Sequence, residues 1–212
     1  MKQTLLLITI FSLSFAIQSP GQEAWGQNVQ IQAGTPTEHV RKMLEEVMTI
    51  QTDTQFQGQE FRGKRRAAIQ NVIARNFYFD EMARLSLSPH WERLDETKRG
   101  EFKDLFKDLF QDSYTKLVLD FLGREKILYA QEEMLGDQAV VKTTISRINE
   151  EIPVDYSLTP VGQKWLVQDV RIDGVSIVQN YQKSFARVIK QESYEGLLKR
   201  LRLQRQAIEK NP

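Results

Sequence analysis

Side chains able to do acid–base, nucleophilic or metal chemistry are few in this chain of 212 residues, and their spacing supports none of it. The two histidines, His39 and His90, do not stand at metal-ligand spacing, and there is no cysteine. A thiolate zinc site, a disulfide and a thiol nucleophile are therefore excluded. Gly58 to Lys64 spells a phosphate loop as far as its lysine, but Arg65 occupies the position that needs a Ser or Thr hydroxyl for magnesium. No apolar strand precedes it. Ser176 lies in Gly174-Val175-Ser176-Ile177-Val178, which lacks the second glycine of a nucleophile elbow. A helix cap accounts for this serine without chemistry. Asp169 lies on a predicted strand and Asp173 at its end, with no histidine beside them. Asp169, between Val167 and Val170, reads as half buried and in need of a hydrogen-bond partner. The expectation is a protein that is not an enzyme, with no catalytic residue and no metal site.

Composition narrows the classes further. Lys plus Arg number 29 against 28 Asp plus Glu, a formal net charge of +1, with 41% hydrophobic and 27% charged residues. Those proportions belong to a folded domain, not to a disordered, collagen-like or coiled-coil chain. The charge balance argues against a nucleic-acid binder. Basic side chains cluster twice, at Arg62, Lys64, Arg65 and Arg66 and at Lys199, Arg200, Arg202 and Arg205. Each cluster is either a solvated face or a docking patch for an acidic partner or an anionic membrane.

At the N-terminus, Lys2 precedes an apolar run from Leu5 to Ile17. A membrane span needs roughly 20 residues, so this run is too short to cross and instead matches the core of a secretory signal. Ala24 and Gly26 put small residues where a signal peptidase reads. The expected organisation is a cleaved signal peptide over 1–26, a loose segment over 27–34 and a single α+β domain over 35–212. With no cysteine to carry a lipid, the mature chain is expected to be soluble outside the cytoplasm.

Periodicity supplies the elements. Thr35-Pro36-Thr37-Glu38 is a capping box with proline at the first helical position, and Val40, Met43, Leu44 and Val47 continue it to about residue 48. A polar break at 51–58 precedes helices over 65–76 and 79–87, the second stopped by Pro89. The strongest helix covers 95–121, where Phe102, Leu105, Phe106, Leu109, Phe110, Leu117, Val118 and Phe121 form one stripe. After Gly123 the period shifts towards two. Residues 126–131, 138–147, 151–160 and 164–173 read as strands with short connections, an antiparallel meander. Ser176 to Gln179 is a second capping box that opens a helix, and a last helix carries Leu197, Leu198, Leu201 and Ile208. The fold expected is α+β, a four-stranded antiparallel twisted sheet with helices packed against it. Adjacent apolar residues, Val140-Val141 and Trp165-Leu166-Val167, suit a sheet covered on both faces or curled around a cavity.

The run Phe77-Tyr78-Phe79-Asp80-Glu81-Met82-Ala83, then Trp91, then the helix from Phe102 to Tyr114, resembles the MlaC-type family of periplasmic phospholipid-transport proteins, also called toluene-tolerance auxiliary proteins. Pro153-Val154-Asp155-Tyr156, Trp165-Leu166-Val167-Gln168-Asp169-Val170 and the run from Ile172 to Tyr181, with Phe185 following, are similar to the same family. The resemblance extends from about residue 36 to 201. Asp173 stands where the family usually has Glu, and Gln182 where many members have Arg.

That resemblance implies a soluble periplasmic carrier that binds phospholipid acyl tails in an apolar lipid cavity and shuttles lipid between outer- and inner-membrane complexes, maintaining outer-membrane lipid asymmetry. The partners it implies are phospholipid, an inner-membrane ABC transporter with a substrate-binding ring, and an outer-membrane lipoprotein–porin complex. No cofactor is implied beyond phospholipid as cargo. Tails inserted between the sheet and the long helix would meet Phe106, Phe110, Tyr114 and Val118 from the helix. Val141, Val154, Tyr156, Trp165 and Val167 would face them from the strands, with Val175 and Tyr181 beyond. The alternative is a periplasmic adaptor that docks membrane complexes on a closed core and binds no lipid. A hydrolase acting on lipid or peptidoglycan ranks third, for want of a nucleophile elbow and a paired histidine.

Overall fold

Thr35 caps the first helix, α1 (Pro36–Thr52), in the computed structural model, which describes residues 34–210. The Thr35 hydroxyl accepts from the Glu38 amide at 3.2 Å, and the Glu38 carboxylate accepts from the Thr35 amide at 3.0 Å. This reciprocal cap satisfies two amides that the helix itself leaves without partners. The expected signal peptide and nearly all of the segment 27–34 lie outside the described residues.

Two short 3-10 turns, Thr54–Phe56 and Gln59–Phe61, fill the expected break. Then α2 (Arg62–Asn76) turns Ile69, Val72 and Ile73 inward, and α3 (Phe79–Ser86) buries Phe79, Met82 and Ala83. Asp95 opens α4 (Glu96–Phe121) by accepting from the Lys98 amide at 2.9 Å. The amide of Tyr78, between α2 and α3, donates to the Val167 carbonyl at 2.8 Å and pins that junction to the sheet.

The sheet has five strands, which corrects the expected four. β1 (Lys126–Leu135), β2 (Gln138–Arg147), β3 (Glu150–Val161), β4 (Lys164–Ile172) and β5 (Val175–Ser176) pair antiparallel in chain order. The fifth strand arises because Asp173 and Gly174 adopt φ of 48° and 76°, a left-handed turn that folds Val175 and Ser176 back onto Ile172 and Arg171. Two residues are too few to carry an alternation signal. β1 also continues to Leu135, past a register shift between Tyr129 and Gln131, so Glu132 and Glu133 pair with Val141 and Val140.

Ser176 caps α5 (Ile177–Gln191), and α6 (Tyr194–Lys210) follows. One hydrophobic core runs from Val40 to Leu201 between the helices and the sheet. Among the described residues, no helix is long and apolar enough to cross a membrane. Much of each basic cluster is engaged in holding helices together. Arg66 pairs with the buried Asp112, Arg65 donates to the Phe56 carbonyl, and Arg200, Arg202 and Arg205 pair with Glu192, Glu101 and Asp108.

Candidate functional site

Along α4 one apolar stripe meets two different surroundings. In its first half Phe102, Phe106 and Phe110 are almost wholly buried among other rings. Phe102 lies 5.7 Å from Phe185, Phe106 lies 5.5 Å from Tyr181, and Phe110 lies 5.4 Å from Phe77, centroid to centroid. Such tilted and edge-on contacts fill space efficiently.

Beyond Tyr114 the stripe no longer meets rings of α5. A recess of ≈ 200 Å³ opens there. Met43, Leu44 and Val47 of α1, Val72 and Ile73 of α2, and Phe77 line it from one side. Tyr114, Leu117, Val118, Phe121 and Leu122 line it from α4 and its end, and Ile145, Ile152, Val154, Tyr156 and Ile172 from the sheet. Strand register explains the sheet wall. Ile145 stands opposite Ile152, and Val154 opposite Ile172, so β-branched side chains form one face and leave the gap to α4 unfilled. Val72, Ile73, Val154 and Tyr156 are deeply buried, whereas Phe121 is 47% exposed and marks the open end.

Only two lining side chains are polar, Tyr114 and Tyr156, and each bears on the other's ionisation. Burial pushes the Tyr114 phenol up to about 12, opposed by its hydrogen bond with Tyr156. Burial, with Tyr114 beside it, holds Tyr156 well above the ordinary tyrosine range. Both are neutral at physiological pH, so the recess presents no ionised group. Hydrocarbon is what such a surface takes from water.

Gln51 ties α1 across the end of α4. Its side-chain amide donates to the carbonyls of Val118 at 3.1 Å, Leu119 at 3.3 Å and Leu122 at 2.6 Å. The Leu119 and Leu122 carbonyls lie where the helix terminus supplies no further amide, while Val118 also accepts from the Leu122 amide at 2.9 Å.

Four of the eleven side chains singled out by sequence line this recess together: Tyr114, Val118, Val154 and Tyr156. Phe106 and Phe110 lie in the ring cluster, and Val141, Trp165 and Val167 are buried in the core. Tyr181 is half-buried against Phe106 and lines a shallower cleft towards α6, while Val175 is 61% exposed. Sequence reading passed over the α1 wall and the isoleucines of the strands. Helical spacing had already marked Met43, Leu44 and Val47 as an inward face, but it does not show that the face is left partly uncovered.

Asp169 finds the partners its burial requires. It accepts from the Ser176 hydroxyl at 2.6 Å and the Val178 amide at 3.1 Å, and Ser176 in turn accepts from the Gln179 amide at 3.0 Å. Both side chains therefore serve the start of α5. No group of three His, Cys, Asp or Glu side chains able to hold a metal ion occurs among the described residues.

The phospholipid-binding protein from Ralstonia solanacearum, solved in complex with a phospholipid, has a similar fold. The TM-score is 0.71 at 19% sequence identity, over 83% of this chain and 99% of that one. No curated protein matches the chain. The family model described as MlaC protein matches residues 41–203, most of the chain, and the protein belongs to the MlaC family.

Proposed function

We propose that this protein is a periplasmic carrier that binds phospholipid by its acyl chains in the recess beside the second half of α4. The observation that carries the reading is the lining itself, apolar apart from two buried tyrosines, in a chain of the MlaC family. The phospholipid held by the similarly folded Ralstonia solanacearum protein supports it. Two acyl chains carry about 30 methylenes, and at ~0.8 kcal/mol each their exposure to water costs roughly 20 kcal/mol or more. A carrier lowers that barrier without any covalent step, moving lipid between an outer-membrane lipoprotein–porin complex and an inner-membrane ABC transporter with a substrate-binding ring.

At ≈ 200 Å³ the recess is only somewhat larger than a cavity of about 150 Å³ that accepts benzene. Two full chains need more room, so loading requires α1 and the sheet to separate from α4. The test is organic extraction of the protein secreted in cells, followed by lipid mass spectrometry. Phospholipid near one molecule per chain is the expected result. Protein that carries none and takes none from vesicles would overturn the reading in favour of an adaptor with a closed core.

A further inference from the structure

At the open end of the recess the hairpin between β2 and β3 meets the segment leading from α4 into β1. Between them lies an open groove lined by Arg124, Glu125, Lys126, Ser146, Arg147 and Ile148. The groove and the recess are joined through Arg147. Its guanidinium lies 5.2 Å from the centre of the Phe121 ring, and it donates to the Phe121 carbonyl. Two residues earlier on the same strand face, Ile145 lines the recess.

Three cations and one anion line the groove. Glu125 is committed within it, accepting from the Gly123 amide and pairing with Arg147 at 3.4 Å. Arg124 and Lys126 are exposed and make no ion pair among the described residues. The Arg147 Nε–H is buried and has no acceptor among the described residues. Glu150 and Glu151 lie across the strand pairing from Arg147 and Ser146, outside the groove lining. An anion arriving here meets two cations without an ion pair among the described residues, Arg124 and Lys126, beside the partly engaged guanidinium of Arg147 and next to the doorway of a hydrocarbon recess.

We propose that this groove is the phosphate subsite of the lipid site: Arg124, Lys126 and Arg147 hold the phosphodiester of a molecule whose acyl chains enter beside Phe121. The assignment rests on the carrier reading above. The Arg124 and Lys126 side chains make no ion pair or hydrogen bond among the described residues, so reversing their charge leaves the fold intact and turns the groove from net positive to net negative.

The experiment uses the delipidated mature chain and two tail-labelled ligands with identical acyl chains, phosphatidylglycerol and diacylglycerol, delivered from cyclodextrin. Charge-assisted hydrogen bonds to the phosphate should make the wild type bind phosphatidylglycerol about 10-fold tighter than diacylglycerol. The double variant Arg124→Glu, Lys126→Glu should bind the two about equally, with diacylglycerol affinity and melting temperature unchanged. An undiminished preference in the variant would overturn the subsite, as would a wild type that binds both ligands equally well. Failure of the wild type to bind either ligand would remove the carrier reading, and the subsite with it. Glycerol 3-phosphate is the third arm. Binding of this tail-free ligand as tightly as the lipid would make the groove a free-phosphate site and overturn its assignment to a lipid headgroup.

Discussion

The two halves of α4 carry the same kind of stripe and do opposite things with it. Phe102, Phe106 and Phe110 meet Phe77, Tyr181 and Phe185 in a closed set of rings. Tyr114, Leu117, Val118 and Phe121 face the short side chains of Ile145, Ile152, Val154 and Ile172 across a gap of ≈ 200 Å³. The helix is continuous, so what separates solid from hollow is the partner surface. Large planar side chains reach across the first interface, and β-branched ones stop short in the second. On the proposed reading, stability and lipid binding fall to different turns of one helix.

The largest effect should come from the closed half. Phe106→Ala deletes a ring that is 0% exposed and should cost about 3–5 kcal/mol, read as a drop in chemical-denaturation midpoint. If this variant instead lost lipid at unchanged stability, Phe106 would belong with the hollow half. In the hollow half, Val154→Trp should reverse the balance. Its added volume goes into the recess, so lipid occupancy should fall sharply while stability changes less than the ~1–3 kcal/mol typical of overpacking a filled core. Parallel loss of both would show that Val154 is ordinary core.

A smaller change is expected from Gln51→Ala, which removes the donor shared by the Val118, Leu119 and Leu122 carbonyls at the end of α4. About 1 kcal/mol of stability should be lost, and lipid uptake from vesicles should become faster. Unchanged uptake would mean that α1 is not the wall that moves. The smallest effect lies at the other end of α1. Burial, reinforced by Lys164 and Lys42, lowers the His39 pKa below 6.5, and its Nε2 is buried without a partner among the described residues. The unfolded chain therefore binds this proton more readily than the folded one. Stability should fall as pH drops through the ordinary histidine value and level off below the folded-state pKa. His39→Gln should flatten that slope in denaturation curves recorded across the range.

Local chemistry made most elements legible in the sequence. Thr35 with Glu38, Asp95, and Ser176 with Gln179 mark three helix starts that the structure reproduces through side-chain caps. β2 begins and ends where its alternation does, at Gln138 and Arg147. β5 was not legible, because a two-residue strand depends on a left-handed turn and on its neighbour, not on a pattern of its own. Nor was the far half of β1, where consecutive glutamates are held in the sheet by their pairing with β2. The recess was legible only in part. The family resemblance implies tails between the sheet and the long helix, and of the residues named on that ground Tyr114, Val118, Val154 and Tyr156 line the recess. Whether two inward faces touch depends on the distance between elements, which no single segment encodes. The groove cations escaped notice for the same reason, since Arg147 is brought beside Arg124 and Lys126 only by the pairing of β1 with β2.

The unfilled space beside α4 also makes the molecule sensitive to compression. Unfolding abolishes an internal void, so the folded form without cargo occupies more volume than its parts require, and hydrostatic pressure favours the chain that has lost the void. Cargo that fills the gap removes that volume difference. If the recess holds lipid as proposed, the empty form should therefore be pressure-labile and the loaded form pressure-resistant.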